Sequence, residues 1–178
     1  EGGKQQLGLL CFAERDAEAL LAAVRAADPR MGKSARVTTL GLDKVYKLMS
    51  ERAMGDVAFR FVPDSREVSA AVRVQQDAGD DSGSFVGVPL FQAEGLSIKA
   101  DGVKYLPVFF SKKDMDSAAR AAFAKMPGRQ ISQLKVEVGS LESVVMAMEA
   151  AAEGDDWANV LFVPAGSDLM TQLLGGSK

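Results

Sequence analysis

The sequence predicts an α/β protein, in the broad sense that includes α+β arrangements, built from two similar units. Two observations predict this class. Short apolar runs, some with apolar and polar residues in alternation, are typical of strands. They are separated by stretches with an apolar side chain every three or four residues, which is typical of helices. The order strand, helix, strand, helix, strand, helix also occurs twice along the chain. We expect the two units to pack as one compact pseudo-twofold domain with a mixed or antiparallel sheet.

The first unit is expected to span residues 7–74. Its predicted elements are a strand at 7–12, a helix at 14–27, a strand at 35–40, a short helix with Leu42, Val45 and Met49, a strand at 57–61 and a short helix with Val68, Ala71 and Val72. Asp28-Pro29 ends the first helix, because a residue that precedes proline disfavours the helical conformation. Residues 75–84 are polar and rich in glycine, so they are the predicted linker.

The second unit is expected to span residues 85–174, and it begins with an additional hairpin. Its predicted elements are strands at 86–91, 96–100 and 103–110, a helix with Met115 to Met126 on its stripe, a strand at 134–138, a helix at 141–148, a strand at 157–163 and a last short helix after Pro164. Ser111 and Asp114 have the spacing of a helix capping box. The hairpin has no counterpart before the first unit, which has either lost it or had it cut away.

The repeat is visible in matched residues. Asp16 corresponds to Asp114, Val37 to Val136, Leu42 to Leu141, Met49 to Met148, and Phe61-Val62-Pro63 to Phe162-Val163-Pro164. The matched Val-Pro corners and helix starts favour a tandem duplication over a chance likeness between α/β sequences.

Composition favours a protein without catalytic or metal chemistry. The 178 residues include no histidine, the commonest general base and metal ligand. Cys11, the one cysteine, lies in an apolar run, which favours a buried and unreactive thiol. Gly32-Lys33-Ser34 lies before a predicted strand, whereas a phosphate loop requires a helix there. We therefore expect no enzyme activity, no cofactor and no metal.

Charge and hydropathy restrict the partners. The formal net charge of −3 gives no strong basic field, so nucleic acid is not an expected partner. No apolar run approaches the roughly 20 residues that span a bilayer, so contact with a membrane would be peripheral at most. The chain begins Glu1-Gly2-Gly3 without methionine, which suggests a mature or trimmed chain from which a targeting peptide has been removed.

Two strand motifs carry a resemblance to a known family. Val88-Pro89-Leu90-Phe91 is followed by a turn at Gly95 and then by Leu-Pro-Val-Phe-Phe-Ser-Lys-Lys-Asp at 106–114. This pattern, with the later strand at 135–138, the helix at 141–148 and the corner at 162–164, resembles the twenty-two-kilodalton Tic family of the chloroplast inner-envelope protein translocon. That family is also internally duplicated. The resemblance covers residues 7–72 and 86–174.

The resemblance implies a soluble, non-enzymatic protein that binds incoming preproteins as a chaperone does, with preproteins or translocon subunits as partners. It implies location in the chloroplast, either between the envelope membranes or near thylakoids. Such a role requires exposed apolar surface, and the candidates are Tyr46, Met49, Val145 and Met148, on the second helix of each unit. The alternative is an accessory structural subunit docked on a large plastid membrane complex, such as a photosystem or its antenna. For the apolar stripes themselves, simple core filling is the competing interpretation.

Overall fold

A computed structural model describes residues 6–50, 57–100, 102–124, 134–152 and 156–167 of the chain. The chain divides into two units, Glu1–Asp64 and Ser65–Lys178, and each is described by itself. The boundary precedes the helix at 65–77, which the sequence pattern assigns to the first unit. That helix buries Ala71 and Val74 in the core of the second unit, which explains where the division falls.

Unit 1 is a parallel pair of strands with helices between them. Its elements are β1 (Gln6–Cys11), α1 (Glu14–Ala27), α2 (Pro29–Gly32), α3 (Leu42–Ser50) and β2 (Val57–Val62). β1 and β2 pair in register from Gln6↔Val57 to Cys11↔Val62. A parallel pair needs a long crossover connection, and α1 to α3 supply it. The guanidinium of Arg15 forms an ion pair with the carboxylate of Asp64, which joins the start of α1 to the end of β2.

Unit 2 is built on a larger, mixed sheet. Its elements are α4 (Ser65–Asp77), β3 (Pro89–Ala93), β4 (Ile98–Ala100), β5 (Val103–Phe109), α5 (Lys112–Phe123), β6 (Val136–Ser140), α6 (Leu141–Ala150), a 3₁₀ helix (Asp156–Asn159) and β7 (Val160–Val163). The strand order is β4-β5-β3-β6, with antiparallel pairing throughout this path. β7 joins β5 as a parallel neighbour.

The core of unit 2 lies between this sheet and helices α4 and α5. Phe91 and Phe109, opposite each other on β3 and β5, are fully buried. Met115 and Phe123 of α5 pack in the same cluster. The Ser111 hydroxyl accepts a hydrogen bond from the Asp114 N–H at 3.3 Å, so the predicted cap begins α5.

The two units share one local arrangement at the ends of their parallel strand pairs. In unit 1 the N–H of Phe12 donates to the carbonyl of Val62 at 3.0 Å, and in unit 2 the N–H of Phe110 donates to that of Val163 at 3.1 Å. The rings of Phe12 and Phe61 lie 5.5 Å apart, and those of Phe110 and Phe162 lie 6.2 Å apart. Phe61-Val62 and Phe162-Val163, which match in sequence, thus make similar local contacts within their own units.

Several predicted elements need correction. The predicted strand at 35–40 is wrong, since these residues form no strand. In unit 2 the corresponding β6 pairs with β3, and unit 1 has no strand equivalent to β3 among its described residues. Strand hydrogen bonds form only with a neighbouring strand, so an alternating pattern alone does not make the segment a strand.

Element limits also differ from the predictions in unit 2. The predicted strand at 86–91 begins only at Pro89, after Gly87 with a left-handed φ of 94°. The first half of the strand predicted at 157–163 is the 3₁₀ helix. The predicted last helix, after Pro164, lies outside the described residues except for its first few positions.

Candidate functional site

The candidate partner-binding residues lie on α3 of unit 1 and α6 of unit 2. α6 begins at Leu141, and the hydroxyl of the preceding residue, Ser140, accepts a hydrogen bond from the Ser143 N–H at 3.1 Å. Such a cap satisfies one of the otherwise unpaired N–H groups of the first turn. α3 begins at the matching residue, Leu42, so the two helices present matching positions. Val45 on α3 and Leu141 on α6 are buried.

The structure leaves part of the predicted apolar surface exposed. Tyr46 is 45% exposed, Met148 is 37% exposed, and Val145 is partly buried. The side chain of Met49 lies outside the described part of the structure. Core filling therefore does not account for Tyr46 and Met148. Tyr46 and Met49 belong to unit 1, and Val145 and Met148 belong to unit 2.

Met146 is the most exposed large apolar side chain on α6, at 68% exposure, and the sequence pattern did not place it in the site. The stripe formed by Leu141, Val144, Val145 and Met148 puts Met146 on the other side of the helix, where a polar residue is expected. The sequence signal that could have identified Met146 is its apolar side chain on a helix face expected to be polar. Methionine is flexible and polarisable, which suits a surface that contacts varied apolar partners.

Charged side chains of unit 2 form a hydrogen bond at the start of α6 and ion pairs around Lys135. Glu142, in the first turn of α6, accepts a hydrogen bond from the N–H of Val88 at 2.9 Å. Lys135 lies 3.1 Å from Glu137 and 3.9 Å from Glu94. Its hydrogen bond to Glu137 and the two negative charges raise the pKa of its ammonium group, so Lys135 remains a cation. A lysine used as a general base would need a lowered pKa.

Cys11 has the environment of a structural thiol. It lies at the end of β1 and is partly buried. Burial raises the pKa of this thiol, and the negative charge of Asp16 raises it further. Since the thiolate is the nucleophile, this environment lowers its reactivity.

Neither a metal centre nor a membrane span is found in the described part of the chain. No three residues of the types histidine, cysteine, aspartate or glutamate are grouped there so that they could hold a metal ion. No described helix is both long and apolar enough to cross a membrane.

Fold and surface together define a class: an α/β protein of two units, with exposed apolar side chains on α3 of unit 1 and on α6 of unit 2. Comparison with known proteins specifies the family. The family model described as the Tic22-like family matches residues 1–174, so the chain belongs to the Tic22-like family. This confirms the resemblance found in the strand motifs.

Individual relatives agree with the family assignment. The chain is 37% identical over 164 residues to "Protein TIC 22, chloroplastic" of Pisum sativum, covering 92% of this chain and 62% of that protein. It is 37% identical over 165 residues to the protein of the same name from Arabidopsis thaliana, covering 93% of this chain and 58% of that protein. The chain thus spans about six tenths of the length of these curated relatives.

Solved structures confirm the fold. Anabaena Tic22, described as a protein of protein transport, superposes with a TM-score of 0.75 at 21% identity, covering 90% of this chain and 75% of that chain. Tic22 from Plasmodium falciparum superposes with a TM-score of 0.72 at 19% identity, covering 100% of this chain and 87% of that chain. At these identities the likeness concerns the fold alone.

Proposed function

We propose that this protein takes part in protein import into plastids by binding extended apolar segments of incoming polypeptides, without catalysing a reaction. The observation that carries the proposal is the exposure of apolar side chains on α3 and α6 in a chain of the Tic22-like family. The relatives from Pisum sativum and Arabidopsis thaliana are named chloroplastic, and the Anabaena structure is described as a protein of protein transport. The proposed location is the space between the envelope membranes.

The proposed contact surface consists of Tyr46 and Met49 on α3, and Val145, Met146 and Met148 on α6. Exposed apolar side chains lose contact with water when a partner covers them, which gives roughly 25 cal/mol per Å² of apolar area buried. Contacts of this kind depend little on the exact sequence of the partner. They therefore suit a protein that meets many different chains.

The two units are further proposed to be copies of one ancestral unit. Support comes from the equivalent Phe–Val hydrogen bonds at the ends of the two parallel strand pairs, and from helices that begin at the matched residues Leu42 and Leu141. Two similar units would each offer a similar apolar helix surface.

The alternative function, an accessory subunit docked on a photosystem or antenna complex, has no specific observation in its favour. The names of the relatives concern the chloroplast and protein transport and mention no photosynthetic complex.

Site-specific photocrosslinking tests the proposed function. A photoreactive phenylalanine analogue is placed at Met148, at Tyr46, and as a control at Ala121, an exposed position on α5. Each variant is mixed with a urea-denatured, radiolabelled chloroplast precursor protein that is diluted into buffer. We expect adducts from Met148 and Tyr46 and few from Ala121. Equal adduct yields at the three positions, or none, would refute the proposed contact surface.

A further inference from the structure

Two methionine side chains lie exposed on α6, whereas a methionine of the core is protected from water. Met146 is 68% exposed and Met148 is 37% exposed. Met115, on α5, is fully buried in the core of unit 2. An oxidant dissolved in water reaches a methionine sulfur only where the side chain is accessible. The described part of unit 2 therefore contains an accessible methionine pair, Met146 and Met148, and a protected methionine in the core.

The methionine pair lies in an uncharged stretch of α6. Residues 144–148 have the sequence Val-Val-Met-Ala-Met, and residues 146–150 are all exposed. The large apolar side chains exposed on this helix are the two methionines. Oxidation of a methionine to its sulfoxide converts an apolar side chain into a polar one. The same reaction at both positions would therefore remove most of the large apolar surface that α6 exposes.

Cys11, the one thiol of the chain, lacks the environment of a peroxide-sensitive cysteine. Peroxides react with the thiolate form, so sensitive cysteines have a low pKa. Burial raises the pKa of the Cys11 thiol, and the negative charge of Asp16 raises it further. Oxidation of a thioether needs no prior loss of a proton, so Met146 and Met148 are reactive at neutral pH without such activation.

We propose that Met146 and Met148 form a reversible oxidation site, at which hydrogen peroxide switches off the apolar contact surface of α6. The proposal rests on the proposed function and concerns the regulation of the same surface. The sulfur lone pair attacks one peroxide oxygen, so that an S–O bond forms and the O–O bond breaks. The leaving hydroxide takes the proton of the transferred oxygen, which gives one sulfoxide and one water. Each sulfur loses two electrons, and each peroxide gains two.

A sulfoxide at either position weakens the contact with an apolar partner. The S=O group loses its hydrogen bonds to water when the partner covers it, and apolar side chains offer it no donor. One polar group that is buried in this way lowers the affinity by about tenfold. The fold should not be affected, because neither Met146 nor Met148 belongs to the buried core cluster of unit 2.

The rate of sulfoxide formation at each methionine is the first test. The purified protein is treated with hydrogen peroxide at neutral pH, and peptide mass spectrometry follows each methionine with time. We expect Met146 to react about as fast as Met31, which is 56% exposed on α2, and Met148 to follow. Met115 should react at least about tenfold more slowly, because the core has to open first. A rate at Met146 or at Met148 as slow as that at Met115 would overturn the proposed pair.

Photocrosslinking before and after oxidation tests the switch. The photoreactive phenylalanine analogue is placed at Ala147, an exposed position between the two methionines. Catalase destroys the peroxide before the urea-denatured precursor protein is added. The readout is the adduct yield after oxidation divided by the yield before it. We expect this ratio to fall to about one tenth or less. Methionine sulfoxide reductases A and B, which reduce the two sulfoxide epimers, should restore the yield.

Two variants separate the methionine pair from other oxidised groups. The double variant Met146→Leu, Met148→Leu removes both thioethers and keeps apolar side chains of similar volume, so its yield should not fall after peroxide. Because each variant is compared with itself, an effect of the substitution on binding cancels. Met31→Leu, on α2, should lose as much yield as the unsubstituted protein. An equal fall with and without the methionine pair would overturn the proposal.

The urea midpoint of the oxidised protein shows whether oxidation acts on the surface or on the fold. We expect the midpoint to be unchanged, because the methionine pair lies outside the core. A lowered midpoint would show that oxidation acts on the fold, which contradicts the proposal.

Failure of the switch and failure of the proposed function give different results. If adducts form at Ala147 before oxidation and their yield is the same afterwards, the switch fails and the proposed function stands. If Ala147, Met148 and Tyr46 all give no adducts before oxidation, the proposed function fails, and the switch fails with it.

Discussion

The carboxylate of Glu142 holds the start of β3, and removing it should destabilise unit 2. It accepts a hydrogen bond from the N–H of Val88 at 2.9 Å, and Val88 is almost fully buried. Glu142→Ala removes the acceptor of this N–H. The hydrogen bond from the Leu141 N–H goes to the carbonyl of Val88, so it does not replace that acceptor. The perturbation is therefore one lost hydrogen bond to a buried backbone group.

The expected loss follows from two terms. A buried donor without a partner costs about 1–3 kcal/mol. Glu142 also lies in the first turn of α6, where a negative charge interacts favourably with the helix dipole by about 0.3–1 kcal/mol. Together they predict a loss of about 1–4 kcal/mol in the free energy of unfolding. Glu142→Gln keeps an acceptor and loses the charge, so its loss should be about 1 kcal/mol.

Urea unfolding followed by the fluorescence of Trp157 measures these losses. Trp157 is the one tryptophan of the chain, and its 3₁₀ helix lies against β5 in the same unit. With a slope of about 1–3 kcal/mol per molar urea, Glu142→Ala should lower the midpoint by roughly 1 M. Glu94→Ala is the matched control, because Glu94 is exposed and its ion pair with Lys135 is 3.9 Å long. Its cost should stay below about 0.5 kcal/mol. Equal midpoints for Glu142→Ala and Glu94→Ala would refute the reasoning.

Three further predictions concern the same core and the cysteine. Gly87→Ala should cost more stability than Gly102→Ala: both glycines have a left-handed φ, but a Cβ at Gly87 would lie 2.5 Å from Glu142, whereas none of the surrounding atoms is within 4 Å at Gly102. Urea midpoints compare the two variants, and equal midpoints would argue against the close contact. Phe91→Ala should cost about 3–5 kcal/mol, because it empties a fully buried site, while Val86→Ala, at a highly exposed position, should stay within about 0.5 kcal/mol. Thermal unfolding separates these outcomes. The rate of Cys11 alkylation by iodoacetamide should have its pH midpoint above that of a cysteine peptide, because burial and the charge of Asp16 raise the pKa of the thiol. Asp16→Asn should lower this midpoint only in part, since burial remains. A midpoint at or below that of the peptide would contradict the assigned environment.

Local signals in the sequence predicted the helices well. α1 spans Glu14–Ala27 as expected, because its apolar spacing and the Asp28-Pro29 stop both lie within the segment. The cap at Ser111 and the start of α6 at Leu141 were likewise set by neighbouring residues. A helix closes its hydrogen bonds within its own segment, so a short window contains most of the information.

Those local signals did not predict contacts between residues that are far apart in the sequence. Glu67 of α4 accepts a hydrogen bond from the Lys112 N–H at 2.9 Å, and Asp114 accepts one from the Gly166 N–H at 2.7 Å. The sequence predicts Asp114 as part of a capping box with Ser111, but nothing in it predicts the bond of its carboxylate to Gly166. Nothing near Glu67 predicts its bond to Lys112 either. In the candidate site, the exposure of Tyr46 and Met148 was predicted as a hypothesis, whereas that of Met146 was missed because the helical stripe excludes it.

The segment 35–40 shows why strands are harder to predict than helices. Its pattern resembles that of 134–139, and its helix begins at the matched position, yet only the second segment contains a strand. The difference lies outside both segments: β6 has β3 as a neighbour, and the described part of unit 1 has no equivalent of β3. A strand forms only when it pairs with a neighbouring strand, so a strand-like sequence is necessary for a strand but not sufficient.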